Sequence, residues 1–169
     1  MRGVARALWF MTGRFVDPPL AARFRDLASL PAGTFGRAFH DHLAARNLAV
    51  PGERGGMPEK HVHHDLMHVL NAYDTDAAGE CEIAAFYAGF AAGDAFAYLA
   101  TALATFQLEL PVSPAAVVPA RGAFDPERMI RAFVRGRSLR VDVMGPWDYW
   151  ALFPLQLAEA ASRLGLQPP

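Results

Sequence analysis

The spacing of apolar and polar positions predicts a chain of helices. Asp17 before Pro18 sets a side-chain acceptor ahead of a residue that lacks an N–H, the pairing that opens a helix, here running to about Leu30 and Pro31. Past the turn Pro31-Ala32-Gly33, Thr34 caps a second helix whose apolar face carries Phe35, Ala38, Phe39 and Leu43 and which stops near Asn47. Pro51, Gly52, Gly55, Gly56 and Pro58 make the stretch from Val50 to Pro58 a loop. Val62, Leu66, Val69 and Leu70 then recur at helical spacing, so a third helix is expected from about Glu59 to Tyr73, closed by the polar break Asp74-Thr75-Asp76.

From Ala77 the chain turns apolar, most continuously from Ile83 to Leu110, until Pro111 and Pro114 end the run. A proline-containing stretch to Arg121 leads to Asp125-Pro126, a second cap with first-turn proline, opening a basic helix with Arg128, Arg131, Arg135 and Arg137. Gly145-Pro146-Trp147 begins a tail in which Pro154 starts a last helix and Gly165 suits its C-terminal cap. No segment alternates as a strand does, beyond room for a short extended piece around Leu139 to Val143, and there is no internal repeat. The expectation is an all-α, single-domain helical bundle over residues 1–169 with a core from about 17 to 165.

Composition changes this picture in two places. With 53% apolar and 20% charged residues the chain favours burial or contact with lipid. The run from Ile83 to Leu110 is long enough to cross a bilayer, but Asp94 near its middle would cost about 2.5–3.5 kcal/mol there, which favours a buried helix or helix pair. Sixteen Lys and Arg against 17 Asp and Glu leave no field for phosphate, so nucleic acid is not an expected partner. Cys81 is the single cysteine, which excludes an internal disulfide and fits a reducing compartment. The run from Val4 to Met11 is broken by Arg6 and lacks a cleavage site, so the expectation is a cytoplasmic protein with a short end able to touch a membrane.

The chemistry concentrates in one place. On a helix His64, Asp65 and His68 form a tight triangle, because neighbours one and four apart lie about 100° and 40° around the axis. Eleven residues separate His68 from Glu80, enough for a turn to return the next helix alongside, where Glu80 can supply a fourth ligand. Two imidazoles and two carboxylates suit zinc best, with iron(II), manganese and magnesium as alternatives. The plain alternative is a solvated helix face crowded with histidines and acids. His61 shares that face as a hydrogen-bond partner behind the ligands or a proton shuttle, or as an exposed side chain like His63. Glu82 reads as an ordinary solvated acid and Cys81 as a small packed residue. Phe86, Tyr87, Phe90, Phe96, Tyr98 and Phe106 among many Ala and Gly either pack a core or line an apolar groove. The arginines from Arg128 to Arg140 read as a solvated face able to meet a carboxylate, a phosphate or an anionic bilayer.

The motif HDxxH, eleven spacers, then Glu resembles the hallmark of the coenzyme Q biosynthesis protein 4 family, and His64, Asp65, His68 and Glu80 reproduce it without a gap. Leu30 to Gly36, Gly79 before the Glu, Trp147, Pro154-Leu155 and Leu164-Gly165 add to the resemblance, which spans about residues 20 to 165. It implies an all-α fold, a zinc held by those four side chains, and a hydrophobic channel for polyprenylated quinone precursors at the inner-membrane surface. It further implies oxidative decarboxylation of a polyprenyl-hydroxybenzoate, or a scaffold for the other ubiquinone-biosynthesis enzymes, in a homodimer. The segment before the motif, with His61 and His63, and the Ala-rich stretch from Gly93 to Pro119 depart from the family pattern.

Two other functions fit parts of the sequence. An HD-type metal phosphohydrolase would use His40 or His42, His64-Asp65 and Asp94, leaving His68 and Glu80 without a role. A non-enzymatic carrier would use the metal only to pin two helices beside a prenyl-lipid groove.

Overall fold

The computed structural model describes residues 16–91, 94–108, 122–143 and 147–166. Among them are seven α-helices, two 3-10 turns and no strand: α1 (Pro18–Asp26), α2 (Phe35–Ala45), α3 (Val62–Asn71), α4 (Ala77–Phe90), α5 (Asp94–Gln107), α6 (Pro126–Gly136) and α7 (Leu157–Leu164). The chain is all-α, as its periodicity predicts. The run from Val4 to Met11, the prolines at 111 and 114 and the Gly145-Pro146 turn lie outside the described residues.

The caps account for where the helices begin. Asp17 accepts from the Leu20 N–H at 3.0 Å, Thr34 Oγ1 from Arg37 at 3.4 Å, and Asp125 from both Glu127 and Arg128. Each such cap contributes about 1 kcal/mol. Asn47 and Ala72 take left-handed backbone beyond the ends of α2 and α3, at φ of 53° and 55°. For Ala72 this conformation costs about 1 kcal/mol and stops α3 two residues before Tyr73. The segment Glu59–His61, expected as the first turn of that helix, is a 3-10 turn leading into Val62.

Two compact units divide the chain, one within Met1–Leu70 and Asp142–Ala161, the other within Asn71–Val141 and Ser162–Pro169. In the first, Phe24, Phe35, Phe39 and Phe153 are fully buried and in mutual ring contact. The segment before α7 is fastened to the start of α2: Phe35 and Gly36 donate to the carbonyls of Leu155 and Phe153, and Leu157 donates to that of Gly33. An isolated antiparallel bridge joins Thr34 to Gln156. This anchoring explains a departure from expectation. Pro154 does not start the last helix, because residues 154–156 are held extended or turned by those bonds and α7 begins only at Leu157. Gly165 takes φ of +86° behind α7, as expected of a cap.

In the second unit α4 is the central helix, packed by α5 and α6. It is buried on nearly every side, from Ala77 and Gly79 through Cys81 to Ala88, as a helix apolar all round must be. Its contact with α6 is a close one. A Cβ on Gly89 would overlap the Phe133 carbonyl, and one on Gly136 would overlap that of Phe86. The apolar run from Ile83 thus resolves into two helices of 14 residues each, and among the described residues no helix is long and apolar enough to cross a membrane. Residues 139–143 are bends and coil rather than an extended piece.

Candidate metal centre

The HDxxH motif lies on α3, whose apolar residues Val62, Leu66, Met67 and Leu70 are buried and so fix which way the histidines turn. His68 and Asp65 are buried with them, and His64 is half-buried. The Nε2 atoms of His64 and His68 face each other at 3.3 Å, with the rings edge to face and their centroids 4.9 Å apart. Two imidazole nitrogens bound to one zinc at its usual distance and tetrahedral angle lie about 3.3 Å apart. The pair therefore already has the spacing a chelated ion requires.

Glu80 stands in the first turn of α4, where Asp76 caps the helix by accepting from the Gly79 N–H at 2.8 Å. Gly79 is obligatory there, because a methyl group would overlap the Asp74 carbonyl. One ligand atom from each of His64, His68 and Glu80 lies within 4.8 Å of the other two, a grouping able to hold a metal ion. Asp65 is not among those three. Two imidazole nitrogens and a carboxylate are donor types from which zinc sites are built.

The neighbouring histidines divide. His61 is exposed, and burial of part of its ring, followed by the charges of Lys60 and His64, holds its pKa below the ordinary value. His63 is half-buried and shifted the same way by burial first. On α2, His40 points to Asp41 at 3.3 Å. His42 turns inward. Its ring is stacked near that of His68, at 6.2 Å between centroids and 29° between planes, and burial with the charge of Arg46 lowers its pKa to about 4. Of the residues an HD-type phosphohydrolase would use, Asp94 opens α5 with a side chain outside the described residues.

Two features escaped the sequence reading. Glu82 is buried, and Arg128 holds both its oxygens, at 3.0 and 2.6 Å. Arg135 donates to the Asn71 side chain. Neither partner is near in sequence, so only the helical phase of Glu82, among the apolar positions of α4, could have signalled its burial.

No protein-family model and no curated protein matches this chain. Among solved structures, it is similar to a protein of Nostoc punctiforme PCC 73102 named "putative ubiquinone biosynthesis protein", with 22% identity and a TM-score of 0.59 over 96% of this chain and 75% of that one. The two chains share a fold.

Proposed function

We propose that this protein acts in ubiquinone biosynthesis, binding a polyprenylated aromatic acid beside a divalent metal and catalysing oxidative decarboxylation of its ring. The observation that carries the reading is the convergence of His64, His68 and Glu80. The name of the Nostoc protein that shares the fold supports the pathway, and the HDxxH spacing supports zinc as the ion.

In this reading His64, His68 and Glu80 hold the ion, and Asp65, one residue along α3, completes or braces the set. The ion supplies Lewis acidity for the substrate's carboxylate and neighbouring phenolate. The chain's own contribution is to orient and to desolvate: α3 fixes the imidazoles through its buried face, and the capped first turn of α4 places the Glu80 carboxylate. The ring–carboxylate bond breaks with loss of carbon dioxide, water supplies the oxygen of the new ring–hydroxyl bond, and dioxygen takes up the two electrons and two protons released, leaving as hydrogen peroxide. For the prenyl tail and its membrane, α6 offers exposed Ile130 and Val134 one turn apart, with Arg131 exposed on the same helix and Arg137 exposed just past its end.

The test is metal analysis joined to turnover. His64→Ala and Glu80→Ala should each lower bound zinc by at least about tenfold and abolish conversion of the ring acid in a strain lacking that step. Turnover that persists in metal-free protein would leave the ion a structural tie only.

A further inference from the structure

His42 has no part in the ligand set, yet its position calls for a role. The Thr34 cap sets the phase of α2 so that Phe35, Phe39, His42 and Leu43 all fall on its buried stripe. Three of these are apolar, and the fourth is an imidazole with 9% of its surface exposed. Its Nε2 is shut off from solvent and has no hydrogen-bond partner. Buried polar atoms are kept in folded proteins where something bonds them, and nothing in the described chain does so here.

The geometry limits what that partner is. Two imidazoles that share a tetrahedral ion hold their ring centroids about 5 Å apart, as His64 and His68 do. His42 and His68 are at 6.2 Å. That separation is too wide for a common tetrahedral ion, so His42 stands beside the pair and its buried Nε2 is left for another partner. A neutral imidazole both donates and accepts, so it suits a hydroxyl or an acid oxygen on a bound molecule.

We propose that His42 is a substrate-positioning residue whose Nε2 hydrogen-bonds an oxygen of the aromatic acid held at the His64–His68 centre. The inference rests on the metal-site reading above and adds a ligand contact that the HDxxH motif does not contain.

The experiment uses the full chain loaded with zinc and 4-hydroxybenzoate as the probe, with zinc and probe affinities measured separately by calorimetry. His42→Phe keeps the ring volume and removes the nitrogen, and His42→Gln restores a polar end. Zinc affinity should stay within about threefold in both, probe affinity should fall about tenfold in His42→Phe, and His42→Gln should recover most of it. Equal probe binding by His42→Phe, no recovery by His42→Gln, or loss of zinc in either variant overturns the proposal. In the wild type, the Nε2 nitrogen resonance of His42 should move on adding probe. A fixed resonance, or zinc-loaded wild type that takes no probe, overturns it even where the variants fail to fold. Wild type that takes no zinc fails the metal-site reading itself, which separates the two outcomes.

Discussion

The carboxylate of Glu82 is buried on α4 because the guanidinium of Arg128 closes on both its oxygens. Removing one partner of such a pair strands the other charge in a poor solvent. The Arg128 side chain is 39% exposed, so water screens part of the loss. Arg128→Met should therefore destabilise the fold by about 2 kcal/mol, read as a lower urea midpoint at pH 7. Adding Glu82→Gln should return part of that, since the stranded group is then neutral. An unchanged midpoint in Arg128→Met would show the carboxylate to be solvated after all. The charge itself says nothing of this from sequence, because its partner lies 46 residues away.

At the scale of the elements, the α4–α6 contact depends on two helices meeting backbone to backbone. Gly136→Ala gains about 1 kcal/mol of helix propensity, but its methyl group would overlap the Phe86 carbonyl, and forced separation of packed elements costs about 1–3 kcal/mol. The net expectation is a loss, visible as a lower melting temperature; a rise would mean the helices are free to part. Helix starts were legible wherever the determinant is local: Asp17-Pro18, Thr34 and Asp125-Pro126 each satisfy their own orphan N–H groups. The start of α7 was not, because residues far away in α2 hold its leading strand of chain. The same division runs through the site. His64 and His68 are one helical turn apart and readable from spacing, whereas the nearness of His42 depends on how α2 and α3 pack, which its apolar neighbours Phe35 and Phe39 only hint at.

For the molecule as a whole, surface chemistry and metal loading are the properties a test can reach. If the outer face of α6 meets a bilayer, replacing Ile130 and Val134 together with Ser should weaken sedimentation with anionic vesicles on the order of tenfold. Binding unaffected by the double change would remove that helix from the membrane reading. The hydrogen bonds from Phe35 and Gly36 to Leu155 and Phe153 have a further consequence, which concerns the order in which the protein is made. The first compact unit is split in the gene, with residues 71–141 translated between its two parts. A growing chain that has reached residue 141 holds both histidines of the HDxxH motif but lacks the carbonyls that fasten α2. Backbone amides of Phe35 and Gly36 should exchange with solvent freely in that truncated chain and become protected once the tail is added. The ribosome thus finishes the motif well before it finishes the fold around it.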